Sequence, residues 1–201
     1  MGWNFVSNNN NCQDDHGHGT VNAGIAGARG NNSAGVSGVC HYCKIMTVKV
    51  LNSSNWGYYS WWASGLQYAA DNGARVINMS MGGTDTSQTL ETAINYAWSK
   101  GCIITVSMGN SNDSTKNYPA GYDSVIAVGA TDNRDQRCNP NIPGCNWGSC
   151  YGSWIDVVAP GYWIYSTAWN NTYQYWSGTS MAAPFVAGLA GLILAYNPTL
   201  T

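Results

Sequence analysis

The chain has 201 residues and a net charge of −2, and only 9% of its side chains are charged, against roughly 25% in ordinary soluble domains. That length suits one compact domain with a self-sufficient core. Eight scattered Lys and Arg residues exclude a basic face for nucleic acid or for an anionic membrane.

The chain opens on MGWNFVSN, with neither the basic start nor the apolar stretch of a signal peptide. DDHGHGTVNAG (14–24) then gathers two Asp and two His. KIMTVKVL (44–51) reads as a strand, and the aromatic stretch NWGYYSWWASG (55–65) as irregular. WASGLQYAADNG (62–73) has helical spacing and closes on Gly73. RVINMSMGG (75–83) is a strand and glycine turn, LETAINYAWSKG (90–101) a helix, and CIITVSMGN (102–110) a strand. SVIAVGATD (124–132) and WIDVVAPG (154–161) are two more strands, separated by a cysteine-bearing loop at 138–150. The uncharged MAAPFVAGLAGLILAY (181–196) is a core helix, shorter than the roughly 20 residues of a membrane span. Apolar strands alternating with helices predict a parallel sheet covered on both faces. In such a fold ligands collect at the carboxyl ends of strands, where SMGG (80–83) and SMGN (107–110) stand.

Seven cysteines are an odd count. Zinc would want two close pairs, and only Cys40 and Cys43 form a CxxC. The expectation is at least two disulfides among Cys12, Cys40, Cys43, Cys138, Cys145 and Cys150, with the pairing left open and an extracellular, secreted setting implied. Cys102 reads as a buried thiol.

GTSMAAPFVAG (178–188) places Ser180 at the start of the last helix, where the N-terminal amides would stabilise an oxyanion. Alone, Ser180 reads as an ordinary helix cap. Together, GHGT (17–20), ARVINMSMGG, SMGN, YPA (118–120), SVIAVGATD, WIDVVAPG and GTSMAAPFVAG resemble the subtilisin-like serine proteases (subtilases), in the bacterial subtilisin and thermitase branch. The resemblance runs over nearly the whole chain. It implies a doubly wound α/β fold with a mostly parallel central sheet, and a serine endopeptidase working through an acyl-enzyme. His18 would be the base, Ser180 the nucleophile, and Asn110 the side-chain donor to the oxyanion.

The resemblance also implies a substrate cleft. Trp56 and Gly57 would pair with extended substrate backbone, and Tyr59, Trp62 and Met81 would line the pocket for the fourth residue before the cut. Met81, Gly82 and Gly83, with Ser107, Met108 and Gly109, would wall the first pocket, and Ser80 would be a further substrate-binding residue. An uncharged aromatic cleft predicts a broad, apolar or aromatic preference among polypeptide substrates. The partners implied are those substrates and a propeptide or a further N-terminal segment, with no nucleic acid and no membrane.

Two features depart from the family pattern. HGTVNAG replaces HGTHVAG, so that Val21 stands for a histidine and Asn22 for an apolar residue of the first helix. The family's triad aspartate closes an apolar strand well upstream of the histidine, yet only 17 residues precede His18, none in that pattern. Asp14 and Asp15 fall where relatives carry loop residues. The chain is therefore expected to be one peptidase domain, truncated at its N-terminus and ending shortly after the serine helix. Catalysis needs no cofactor, although SNNNNCQDD (7–15) matches in length a calcium loop of thermitase-like relatives and would make at best a weak structural calcium site. Two rival readings are a catalytically impaired fragment or pseudoprotease that binds peptides, and a carbohydrate-binding surface built on ten tryptophans and 13 tyrosines. The His18–Asn110–Ser180 set argues against the second.

Overall fold

A computed structural model describes residues 2–200. In chain order the elements are β1 (Gly2–Asn4), α1 (His18–Gly27), β2 (Thr47–Lys49), α2 (Tyr59–Asp71), β3 (Val76–Met79), α3 (Gln88–Ser99), β4 (Ile103–Ser107), β5 (Ile126–Thr131), β6 (Val157–Pro160), β7 (Ile164–Ala168), β8 (Thr172–Trp176) and α4 (Thr179–Tyr196).

The local chemistry explains most boundaries. α2 and α3 run out just before Gly73 and Gly101, both at φ +82°, a left-handed turn that costs glycine little. Ser87 caps α3 by accepting from the Leu90 N–H (3.3 Å). The apolar runs become the parallel strands β3-β4-β5-β6, in register through Ile77↔Ile104, Val106↔Ala127 and Val128↔Val157. On one face α2 and α3 pack Leu66, Leu90 and Ile94 against Ile104 and Val106. On the other, Ala182 and Ala183 of α4 meet Val128 and Ala130, while Met181 of α4 meets Val21 and Ile25 of α1. The fold is thus the expected helix-covered α/β arrangement. α4 is 18 residues of apolar character, with one side buried in this core and Leu189, Leu192 and Ile193 exposed.

The sheet has a break. β1 and β2 form a separate parallel pair, and among the described residues nothing pairs with the second edge of β2 or with the outer edge of β3. Between these edges runs a trough of about 1460 Å³, lined by Met46, Val48 and Val50 of one strand region, Ile77 and Met79 of the other, and also by His18 and Asn22 of α1. Its width is set by missing backbone pairing rather than by a side-chain vacancy, because both flanking strands present ladder edges.

β7 and β8 form an antiparallel hairpin that the sequence reading did not anticipate. Gly24 lets α1 lie directly on it: a side chain there would begin 2.1 Å from Thr167 Oγ1 and 2.4 Å from Ser166 Oγ. Those hydroxyls donate to the α1 carbonyls of Thr20 and Val21.

The cysteines differ from expectation. Cys40 and Cys43 are joined, but Cys12, Cys138, Cys145 and Cys150 are free thiols. The free sulfurs of the 138–150 loop have other partners: Cys145 Sγ meets the Trp147 carbonyl (3.0 Å), and Cys150 Sγ lies against the Asn117 amide (3.7 Å). Burial pushes the Cys138 thiol up to about 12. Cys102 is a buried thiol, as read from the sequence.

Candidate active site

His18 is the first residue of α1 and Ser180 the second of α4, and each has its helix's N-terminal amides beside it. Gly17, at φ +99°, turns the chain into α1. Asp14 secures that turn. Its Oδ1 accepts from the His16 and Gly17 N–H groups, and its Oδ2 from the Thr20 N–H and hydroxyl (2.7 Å each). Burial alone would raise the Asp14 pKa, but the Thr20 hydroxyl and the three backbone donors outweigh it and hold it at about 2. Asp15 pairs with Lys49. Neither carboxylate is arranged to orient the His18 ring.

His18 is buried, with the Trp176 ring 6.0 Å from its own, centroid to centroid. Burial, reinforced by His16 and only partly opposed by Asp14, pushes its pKa down to about 4. Unfolded His18 binds a proton near pH 6.5 and folded His18 only near 4, so the unfolded state carries more protons between those values. Stability from this residue is complete above about pH 6.5 and is lost on acidification towards 4, by about 3 kcal/mol. Urea melts at pH 7.5 and 4.5 should therefore separate more for the wild type than for His18→Gln. Equal separations would mean that His18 titrates normally in the folded chain.

Ser180 Oγ donates to the Ser80 carbonyl (3.3 Å), and no hydrogen bond joins it to His18. The two helices are nevertheless tied together through buried polar groups. Asn22 Nδ2 donates to the His18 carbonyl (2.7 Å). Asn22 Oδ1 accepts from Ser80 Oγ, which also lies 2.8 Å from the Ser180 carbonyl. Asn78 Nδ2 bonds Ser80 Oγ (3.0 Å), and Thr105 Oγ1 donates to Asn78 Oδ1 (3.2 Å). Asn22 thus joins a polar network that an apolar residue could not enter, and α1 begins undisturbed.

Asn110 follows β4. Its Oδ1 accepts from the Thr179 N–H (2.8 Å) and hydroxyl (3.0 Å). This fixes the amide with Nδ2 facing Gly178, 3.4 Å from where a Cβ would stand. The Thr179 hydroxyl also accepts from the Gly109 N–H (3.2 Å), so the turn after β4 and the start of α4 are pinned together.

The two glycine turns flank this centre. Gly83 exchanges backbone hydrogen bonds with Tyr118 (2.9 and 2.7 Å), holding Met81–Gly83 in place. Met108 is fully buried among core residues, and Ser107 is buried as well. Trp62 is also a core residue, and it supports Tyr59 edge-on at 4.9 Å instead of lining the surface. Tyr59 donates its hydroxyl to the Asp85 carbonyl (3.0 Å). Trp56 and Gly57 form no strand. Trp56 stands half exposed, and Gly57 is pressed against the Val50 carbonyl, where no side chain fits.

Sequence reasoning missed Trp176 and Trp169. Both rings lie within 4 Å of the Cβ position at Gly17. Their signal was the alternation in IYSTAWNNTYQYW, which spells a hairpin. His16 packs against both Trp176 and His18 (6.3 Å to each ring) and carries a buried Nδ1 without a partner.

The loop at 7–15 fits calcium poorly. Asn9 and Asn11 turn their side-chain oxygens to the N–H groups two residues on, and Asp14 is fully engaged. Among the described residues no group of three His, Cys, Asp or Glu side chains converges on a metal position.

The model of the subtilase family matches residues 1–201. The chain belongs to the subtilase family. This subtilase chain is 47% identical to thermitase of Thermoactinomyces vulgaris over 192 residues, covering 96% of itself and 66% of that relative. Identity to the thermophilic serine proteinase of Bacillus sp. (strain AK1) is 46%, covering 96% and 46%. Among solved structures, a cold adapted subtilisin-like serine proteinase superposes with TM-score 0.88 at 36% identity, over all of this chain and 70% of that one. The chain therefore spans about two thirds of thermitase and under half of the Bacillus proteinase.

Proposed function

We propose that this subtilase chain forms the catalytic centre of an extracellular serine endopeptidase. The observation that carries the reading is a pair of ties at the starts of α1 and α4: Asn22 and Ser80 link the His18 carbonyl to the Ser180 carbonyl, and Asn110 Oδ1 holds Thr179 beside Ser180. Ser180 Oγ turns from the Ser80 carbonyl to the scissile carbonyl carbon, and its proton passes to the His18 imidazole, which is neutral at pH 7. Asn110 Nδ2 and the Ser180 N–H receive the oxyanion. The C–N bond then breaks as His18 returns the proton to the leaving amine, and water releases the acyl group by the same steps in reverse.

His18 lacks a carboxylate at its ring, and the trough between β2 and β3 supports a source for one. An apolar strand seated there would pair with both open edges and end beside His18 with its acid. Half-exposed Trp56, together with Tyr59 and Met81, favours apolar and aromatic substrate side chains. The Cys40–Cys43 disulfide favours an oxidising, extracellular setting.

The reading is tested with a fluorophosphonate probe on the chain carrying an added trough strand. Label is expected on Ser180 alone, located by peptide mapping. Stoichiometric label elsewhere, with Ser180 untouched, removes the assignment.

A further inference from the structure

The hairpin's outer aromatic face belongs to neither the core nor the cleft. Tyr165 and Tyr175 face each other across β7 and β8 with ring centroids 4.8 Å apart. Trp163 continues the row beyond Tyr175 (5.4 Å), and Tyr173 continues it beyond Tyr165 (5.8 Å). Neighbouring rings tilt by 35–44°, so they lean on one another as a continuous offset row instead of interlocking edge to face. Trp163 is 61% exposed, Tyr175 60% and Tyr165 48%. Leaving three large rings this open is unusual unless something covers them.

The surroundings select the covering partner by charge. From residue 157 to residue 201 there is no Asp, Glu, Lys, Arg or His. The nearby loop at 30–37, on which Tyr173 rests at Gly35, is also uncharged. Arg29 and His41 flank that loop, but the hairpin itself offers a nucleic acid or an anionic lipid surface no cation. Nor would an acidic or basic protein find a complementary field. The polar groups on offer are neutral. Tyr162 donates its hydroxyl to the Pro143 carbonyl, but the hydroxyls of Tyr165, Tyr173 and Tyr175 have no hydrogen-bond partner among the described residues. A partner matching this face must itself be uncharged, present flat apolar surfaces one after another, and carry hydroxyls at their edges.

We propose that the β7–β8 face binds an uncharged polysaccharide, its sugar rings lying along the exposed row of Trp163, Tyr175 and Tyr165 and its hydroxyls bonded to the phenols. The site lies on the outside of the hairpin that carries Trp176 to His18, so it would hold the peptidase against a polysaccharide surface without filling the cleft. It does not depend on the chain being catalytically competent.

The test uses Ser180→Ala protein, in which proteolysis cannot interfere, with microcrystalline cellulose in pull-downs and soluble hydroxyethyl cellulose in native affinity gels. Saturable retention is expected, unchanged between low salt and 1 M salt because no charges are involved. Trp163→Ala, outside both strands, and Tyr175→Thr, which puts a strand-favouring β-branched residue in β8, should each weaken retention at least tenfold. Trp98→Ala, an equally exposed tryptophan on α3, should leave it unchanged. Lack of retention on either glucan would overturn the proposal, as would equal loss in Trp98→Ala. So would binding that appears instead on phosphatidylcholine vesicles, or as concentration-dependent dimerisation abolished by the same two changes.

Discussion

Peptide hydrolysis should rise by about 10⁴-fold when an apolar strand ending in aspartate is supplied to the chain, as a peptide or fused ahead of Gly2. The magnitude is that of losing the acid's function in a serine protease of another fold. The reason it should apply here lies at His18. Its imidazole is buried, held near a pKa of about 4, and has no carboxylate to set its tautomer. Such a ring takes a proton from serine reluctantly, and the resulting imidazolium has nothing to stabilise it. An aspartate at the end of a strand between β2 and β3 would supply both and lift the His18 pKa towards neutrality. Two measurements check this: kcat/KM on a chromogenic peptide with and without the strand, and the His18 Cε1 proton shift followed against pH. Asp14→Asn and Asp15→Asn should each change the completed enzyme by less than about tenfold, as expected of groups that cap a helix or pair with Lys49. A lone chain that is fully active and loses activity in either mutant would show that the acid has moved into the 14–15 loop.

The second large effect concerns the nucleophile. In the strand-completed enzyme Ser180→Ala should lower kcat by about 10⁶, the scale measured for this replacement in a subtilisin. More telling is the expected lack of additivity. Serine, base and acid act as one unit, so Ser180→Ala protein should gain almost nothing from the added strand. A strand-dependent gain that survives Ser180→Ala would mean that the strand merely stabilises the fold. Residual turnover above the water rate is expected from Asn110 and the α4 amides, which remain in place.

Much of this was legible because it is local. Gly73 and Gly101 end their helices as glycines do, and the apolar runs at 102–110 and 124–132 are buried strands. His18, Asn110 and Ser180 stand in short motifs whose spacing survives in one chain. The role of Asn22 was not legible: its partners Ser80 and Asn78 lie more than fifty positions away, so its polar side chain read only as a fault in α1. Trp62 and Met108 were placed in the cleft because they sit beside residues that face it, yet their side chains turn into the core. The hairpin escaped notice because its alternation is aromatic on an exposed face rather than apolar on a buried one. The gap in the sheet was legible only through the family resemblance, as the missing aspartate strand; that β2 and β3 are the edges left open could not be read, since it depends on pairing between distant strands.

The uncharged stretch from 157 onward has a consequence for the reaction itself. α4 and the hairpin contain nothing whose charge changes between pH 3 and 9, so the serine side of the centre is the same object across that span. Of the base and the nucleophile, only His18 on α1 carries a charge that acid can change. Acidity reaches this reaction through one partner of the pair, while the other stands as a fixed electrostatic background.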